Sequence, residues 1–169
     1  GDTLHLFVNH WPSKYGGASA TISKRRDAAL RLKSVTDSIA QKIPDALIVI
    51  MGDFNDQPND ECMEIHLDAR HGKPDTTGYY LYNLMYAMLG KWDTGSHKFR
   101  EEWSIIDQFV VSSALLRRQQ GLRLSEKGAE IFRAPFLLEE DRNFNGTKPY
   151  RTFSGPTYLG GFADHLPIL

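Results

Sequence analysis

The feature that most constrains the fold is an apolar run that leads directly into a polar turn. Residues 46–51 read Ala-Leu-Ile-Val-Ile-Met, and residues 52–55 read Gly-Asp-Phe-Asn. An apolar run bounded by Pro44-Asp45 and a glycine predicts a strand that is buried on both faces. The polar residues that follow it, Asp53 and Asn55, then lie at the carboxyl edge of a sheet, where open α/β proteins place their chemistry.

The segment before this run predicts a strand and a helix. Thr3 to Asn9 is rich in β-forming residues and predicts a strand that ends at His10. Apolar residues then recur at helical spacing between positions 28 and 43, which predicts a helix from about Ser23 to Lys42, closed by Pro44. Strand, helix and strand together predict a βαβ-like opening of a layered α/β domain.

The second half of the chain predicts shorter elements. Asn59 or Asp60 can cap a short helix that runs to Leu67. Residues 96–100 and 103–112 predict the two arms of one hairpin, with residues 105–111 as a second buried strand. Residues 139–149 predict a polar loop, and residues 151–169 an irregular end. Because no linker, repeat or low-complexity tract divides the chain, residues 1–169 are interpreted as a single domain.

Composition limits the class of protein but does not choose a substrate. The 169 residues are 41% hydrophobic, which is typical of a globular domain with a real core. A net charge of -1, from 20 basic and 21 acidic side chains, gives no general attraction to polyanions. The single Cys62 excludes an internal disulfide, and no apolar run is long enough to predict a membrane span. A serine hydrolase is a third interpretation with little support, since the Gly-x-Ser-x-Gly turn is absent.

Several polar residues lie beside apolar runs, and some of them have ordinary structural explanations. Asp53 and Asn55 could be turn formers that bond their own backbone, and His10 could be a core histidine. Asp107 is different, because it lies within Ile-Ile-Asp-Gln-Phe-Val-Val. A carboxylate buried in such a run needs a hydrogen-bond donor, since burying an unpaired charge is unfavourable.

His165 can supply that donor. If Asp107 accepts from one imidazole nitrogen, the other nitrogen becomes the working one and the imidazolium form is favoured. Asp164 then remains an oxygen ligand for a hard cation such as Mg²⁺, which takes one or two carboxylates together with water and substrate phosphate. Asp53 would hold or deprotonate a water, and Asn55 would donate to a phosphoryl oxygen.

Four short motifs resemble, in their order and approximate separation, the later motifs of the endonuclease/exonuclease/phosphatase superfamily. They are Asn9-His10, Gly-Asp-Phe-Asn at 52–55, Ile106-Asp107 and Asp-His-Leu-Pro at 164–167. This superfamily includes DNase I-like nucleases, abasic-site endonucleases, sphingomyelinases and inositol polyphosphate phosphatases. The resemblance implies an α/β (α+β) fold that forms part of a four-layer α/β/β/α sandwich with mainly antiparallel sheets.

The resemblance also implies roles for individual residues. His10 is similar to the histidine that hydrogen-bonds the phosphate, and Asp53 to the carboxylate that activates the attacking water. Asn55 resembles the phosphate-binding neighbour of that carboxylate. Asp107 resembles the aspartate paired with the catalytic histidine, which here is His165.

The remaining implied contacts concern metal and substrate. Asp164 resembles a metal-site carboxylate, and the expected cofactor is Mg²⁺, with Mn²⁺ or Ca²⁺ as alternatives. Lys14, Arg151 and Tyr158 are further substrate-binding candidates beside Asn55. The expected substrate is a phosphoester in a nucleic acid, a phospholipid head group or a sugar phosphate.

The chain departs from the family pattern at two places. Ala163 replaces a small hydroxyl residue, and no residue upstream of His10 matches the Asn and the metal-binding Glu with which family members begin. We therefore expect an amino-terminal segment to complete the site, and this chain alone to be weak or inactive. Because a signal region could lie in such a segment and none lies in these residues, the sequence leaves the location open, with an extracytoplasmic location favoured over a cytoplasmic one.

The function implied is metal-dependent phosphoester hydrolysis by water attack at phosphorus. The alternative is a non-catalytic binding module that retains the scaffold.

Overall fold

The start of the chain forms a parallel strand pair joined by a helix. In the computed structural model, which describes residues 1–75, 77–125 and 128–169, strand β1 covers Leu4–His10, helix α1 covers Ala18–Lys42 and strand β2 covers Leu47–Asp53. β1 and β2 pair in parallel. The predicted βαβ-like opening is therefore confirmed. Helix α1 begins earlier than Ser23 because Gly17, at a φ of 112°, sets its start rather than the apolar stripe.

The remaining elements are short. They are β3 (Ala69–Arg70), β4 (Leu81–Asn83), β5 (His97–Phe99), β6 (Glu102–Ser104), β7 (Asp107–Ser112), α2 (Ser113–Arg117), β8 (Leu138–Glu140), β9 (Thr147–Pro149), β10 (Phe153–Ser154) and β11 (Thr157–Tyr158). The main sheet has the order β1-β2-β7-β4-β3, and β7 runs antiparallel to both of its neighbours. The pairs β5–β6, β8–β9 and β10–β11 are antiparallel hairpins.

The fold is thus mixed α+β with mostly antiparallel strand pairing, as the sequence predicts. Among the described residues there is one large sheet with α1 packed on one face. The second large sheet and the outer helices of a four-layer sandwich are not found among these residues.

Two predictions for the second half are wrong. Residues 103–112 do not form one hairpin arm, because only β6 pairs with β5 while β7 joins the main sheet beside β2. The main sheet buries Val110 and Val111 completely, which a small surface hairpin could not do. The polar loop at 139–149 carries a strand at each end, and Lys98 Nζ holds this hairpin through Asp141 Oδ2 at 3.1 Å.

The short helix predicted up to Leu67 is a single π-helical turn, Cys62–His66. This turn buries Met63 against the underside of α1. It is therefore a packing element rather than a helix of its own.

Strand β2 is buried more completely on one face than on the other. Ile48 and Ile50 are 0% exposed and pack in the core against α1, whereas Val49 and Met51 on the opposite face are only half-buried. The prediction of burial on both faces therefore holds in full only for the α1 side.

The less buried face of the sheet continues onto β1, which is an edge strand. Leu6 and Val8 are 52% and 74% exposed there, and the strand register places them beside Val49 and Met51. We call this surface, Leu4, Leu6, Val8, Val49, Met51 and Phe109, the open apolar face. No helix in the described part of the chain is long and apolar enough to cross a membrane.

Candidate active site

Three strands of the main sheet bring polar side chains to one edge. Asp53 is the last residue of β2 and Asp107 the first of β7, and the two are directly opposite in register. His10, the last residue of β1, is the register partner of Asp53 on its other side. Residues opposite each other in register project to the same face, so these side chains lie at one end of the open apolar face.

The approach of β1 to β2 at this edge requires a glycine. Gly52 has a φ of 128°, and a Cβ at this position would lie 2.0 Å from the carbonyl oxygen of Asn9. The glycine in Gly-Asp-Phe-Asn is therefore dictated by backbone packing, and it lets the chain turn so that Asp53 reaches the sheet edge.

Asp107 is paired with His165. Nδ1 of His165 donates to Oδ2 of Asp107 at 2.7 Å, so Nε2 is the nitrogen left for a substrate. Burial lowers the pKa of His165, but the hydrogen bond and charge of Asp107, with the charges of Asp53 and Asp164, outweigh burial. The net effect is a pKa above the usual value, which favours the imidazolium form.

Asp53 is fixed by the turn that follows it. The backbone N–H of Asn55 donates to Asp53 Oδ1 at 2.8 Å, and the Asn55 side-chain amide donates to Asp53 Oδ2 at 3.1 Å. Burial and the charge of Asp107 raise the pKa of Asp53, while the Asn55 N–H and the charge of His165 partly offset this rise. The result is a carboxylate of raised basicity in a fixed orientation.

Asn55 has the backbone conformation that such a turn needs. Its φ of 51° lies in the left-handed region, which asparagine tolerates better than most residues. Its amide also donates to the Trp11 carbonyl at 2.9 Å. Asn55 therefore both forms the turn, as its structural explanation predicts, and presents a polar group beside Asp53.

The other predicted site residues have more varied positions. The His10 side chain is 77% exposed, so it is not a core histidine, and its Nε2 lies 3.4 Å from Asp53 Oδ2. Asp164 is exposed beside His165. Lys14 Nζ contacts the carboxylates of Asp56 and Asp60 at 3.1 and 2.9 Å, so its charge is already paired within the protein.

Arg151 and Tyr158 lie outside the group formed by Asp53, Asp107 and His165. Arg151 is half-buried, and its charge contributes to lowering the pKa of His97. The ring of His97 in turn contacts the ring of His165. Tyr158 is 67% exposed on β11 and packs its ring against Phe153. Arg151 is thus near His97, whereas the ring of Tyr158 makes its contact within its own hairpin.

Sequence reasoning did not identify His97. Its ring centroid lies 4.8 Å from that of His165, and the two residues form an isolated β-bridge. Burial, helped by the charges of His165 and Arg151, lowers the pKa of His97 to about 4. His97 is therefore neutral next to a histidine that holds its proton. No local pattern marks it, because its importance depends on a contact with a distant segment.

The edge residues fit a divalent cation. Ligand atoms of Asp53, Asp107 and His165 lie within 4.8 Å of one another. The charge of Asp107 raises the pKa of Asp53, so the two carboxylates repel, and a cation between them would relieve that repulsion. Two carboxylates completed by water and substrate oxygen suit Mg²⁺ better than a full protein cage would.

In this mixed α+β fold, two carboxylates and a histidine that holds a proton lie together at one edge of the sheet. Such an arrangement of side chains is typical of hydrolases. The model of the Endonuclease/Exonuclease/phosphatase family matches residues 1–169. No curated protein and no solved structure matches the chain. The chain belongs to the endonuclease/exonuclease/phosphatase family, whose members are typically phosphoester hydrolases and generally depend on a divalent metal.

Proposed function

We propose that the protein hydrolyses a phosphoester by metal-dependent attack of water at phosphorus. The observation that carries this proposal is the 2.7 Å bond between His165 and Asp107, formed directly beside Asp53. This arrangement supplies one group of raised basicity and one that holds a proton, which water attack on a phosphoester requires. Family membership favours the same reaction.

Each residue has a separate task in this reaction. Asp53 holds the attacking water and accepts its proton. His165 donates from Nε2 to a phosphoryl or leaving-group oxygen, while Asp107 fixes the ring and its tautomer. Asn55 orients Asp53, and its amide would donate to the phosphate by exchanging one of its two present acceptors, the Trp11 carbonyl or Asp53 Oδ2, for a phosphate oxygen. His10, exposed at the same edge, is a second donor to phosphate oxygens.

The cation would be Mg²⁺, with Mn²⁺ or Ca²⁺ as alternatives. Its oxygen ligands would come from Asp53, Asp107 and Asp164, and when bound it would supply charge stabilisation at the phosphorus. Arg151 and Tyr158 remain candidates for contacts with the rest of the substrate. Lys14 would first have to leave Asp56 and Asp60, which makes it the weakest of the three.

The open apolar face supports the proposal that a further layer of polypeptide completes the site. This face ends at His10, Asp53 and Asp107, so a segment that covered Leu6 and Val8 would also reach the site. Apolar side chains exposed side by side on a sheet usually mark an interaction surface. We therefore expect the chain by itself to be weak or inactive.

Hydrolysis of bis-p-nitrophenyl phosphate by the full-length protein tests this function. Activity should require Mg²⁺ or Mn²⁺, stop with EDTA and be lost in Asp53→Ala. Asp27→Ala is the matched control, because it removes an exposed helix carboxylate whose ion pair with Arg26 is 3.8 Å long. Loss of activity in both variants, or no metal-dependent turnover at all, would contradict the proposal and favour the binding module.

The substrate is tested separately. DNA, sphingomyelin and inositol phosphates represent the nucleic acid, phospholipid head-group and sugar-phosphate classes. Turnover of one class with the same dependence on Asp53 and metal would identify it.

A further inference from the structure

We propose that Ser96, a residue outside the motifs above, positions the Asp107–His165 pair. This inference rests on the proposed function. Ser96 immediately precedes β5 and is 0% exposed. It is one of few buried polar residues near the site, and its hydrogen bonds connect segments that lie far apart in the chain.

Ser96 contacts the backbone of both segments that carry the pair. Its Oγ accepts from the backbone N–H of Asp107 at 3.1 Å. Its carbonyl oxygen accepts from the N–H of Leu166, the residue after His165, at 2.7 Å. One buried residue therefore fixes the distance between two backbones whose side chains must meet across 58 positions of sequence.

The residue after Ser96 adds a packing contact. The ring of His97 lies against the ring of His165 at 4.8 Å between centroids, tilted by 47°. Because this contact and the bonds of Ser96 come from the same end of β5, a shift of Ser96 would move His165 and Asp107 relative to each other.

The position of Ser96 is itself tightly fixed. Its N–H donates to the Ser104 carbonyl at 2.9 Å, and a Cβ on the preceding Gly95 would lie 2.7 Å from the Ser104 nitrogen. Lys98, two residues after Ser96 and within β5, is held in place by its buried ion pair with Asp141. A segment held on both sides can transmit a small displacement directly to the pair, and misplacement of catalytic groups by about 1 Å can reduce rates by roughly 100-fold.

The test compares two serines of the same hairpin. Ser96→Ala removes the acceptor for the Asp107 N–H. Ser104→Ala removes a side-chain bond of similar length, 3.3 Å to the His97 carbonyl, without removing a bond to Asp107 or Leu166. If Ser96→Ala does not fold, Ser96→Cys replaces it, because a thiol keeps the size but is a weak acceptor.

The first measurement is the NMR signal of the His165 Nδ1 proton, identified by its loss in His165→Gln. Ser96→Ala should shift or broaden this signal, whereas Ser104→Ala should leave it unchanged. The second measurement is hydrolysis, in which Ser96→Ala should lower kcat by roughly 10- to 100-fold with little change in KM. Thermal unfolding of both variants separates these effects from general destabilisation.

The two proposals fail in different ways. If Ser96→Ala lowers Tm but leaves the Nδ1 signal and kcat as in Ser104→Ala, Ser96 is only structural and this inference is wrong. If the wild-type protein hydrolyses no phosphoester, the proposed function is wrong, and the Nδ1 signal alone decides whether Ser96 positions the pair.

Discussion

At the scale of single residues, the site depends on how neighbours set the charge of two groups. The hydrogen bond from His165 to Asp107 keeps a proton on the imidazole, while burial makes Asp53 a better base. Both groups are raised in pKa, but for different reasons: a carboxylate partner for His165 and mainly burial for Asp53. Acid and base roles can therefore coexist at one sheet edge.

Replacing Asp107 by Asn should separate orientation from charge. An amide keeps the size of the side chain but removes the negative charge, so burial is opposed less and the pKa of His165 should fall. Hydrolysis should fall by roughly 100- to 10,000-fold, the usual contribution of a positioned acid–base group. NMR titration of the His165 ring and kcat measure the two effects. A His165 pKa that is unchanged by the substitution would contradict the role given to Asp107.

The stability of the protein should depend on pH through His165. A pKa raised in the folded state means that the folded protein holds this proton more tightly than the unfolded chain does. The stabilisation is complete below the ordinary value of 6.5 and is lost as the pH rises through the folded pKa.

Urea unfolding of wild type and His165→Gln in EDTA, from about pH 5 to 8, measures this dependence. The difference in free energy of unfolding between the two proteins should shrink as the pH rises. A difference that grows with pH would show that the pKa of His165 is lowered by folding.

Gly52→Ala should destabilise the protein strongly. The added methyl would lie 2.0 Å from the Asn9 oxygen, and alanine disfavours a φ of 128°. Strain of this kind costs about 1–3 kcal/mol, and displacement of β1 would add to it. Gly72→Ala is the control, since a Cβ there contacts nothing within 4 Å and adds only the strain of its φ of 84°. Chemical denaturation should show the larger loss of stability for Gly52→Ala.

At the scale of elements, the sequence was sufficient where one local pattern decided the structure. The stripe on α1 and the apolar run of β2 predicted both elements, because periodicity and burial agree there. The break between β6 and β7 was not predictable from residues 103–112 alone, since β7 is directed into the main sheet by its pairing with β2. The roles of Ser96 and His97 were not predictable for the same reason, because their partners lie in distant segments.

Breaking the ion pair between β5 and the β8–β9 hairpin should be costly. Lys98 and Asp141 have side chains only 2% and 5% exposed, so Lys98→Met would leave a buried carboxylate without its main partner. Removal of one member of a buried pair costs about 3–5 kcal/mol.

Lys33→Met is the matched control, because it breaks the more exposed Lys33–Asp37 helix pair at 2.7 Å and should cost less than about 1 kcal/mol. Equal losses of unfolding free energy in the two variants would show that the buried pair is not special. The double variant Lys98→Met with Asp141→Leu should recover much of the loss, since it leaves no unpaired charge.

At the scale of the whole molecule, the site lies where a covered and an uncovered region of the sheet meet. Helix α1 buries one face, and the open apolar face leads on the other side to His10, Asp53 and Asp107. The family motifs in the sequence predicted that these residues would lie close together. It did not predict how the uncovered face connects with the site, because exposure depends on which surfaces remain unpaired after folding.

Charged residues introduced on the open apolar face should therefore affect stability differently in the 169-residue chain and in the full-length protein. In the 169-residue chain, Leu6→Lys with Val8→Lys should change the free energy of unfolding little, by about 0.5 kcal/mol or less per residue, because both side chains are already exposed. Binding of the dye ANS and self-association should decrease, since both depend on exposed apolar surface. Leu30→Lys is the control, because Leu30 lies on α1 and is itself 47% exposed.

In the full-length protein, the same double substitution should reduce both stability and hydrolysis, because charged side chains cannot be buried under a covering layer without partners. Leu30→Lys should leave both quantities unchanged. Measured together, unfolding free energy and kcat decide the question: if the full-length protein tolerates Lys at positions 6 and 8 as well as the 169-residue chain does, no layer covers this face. The site would then have to work with the residues of this sheet edge alone.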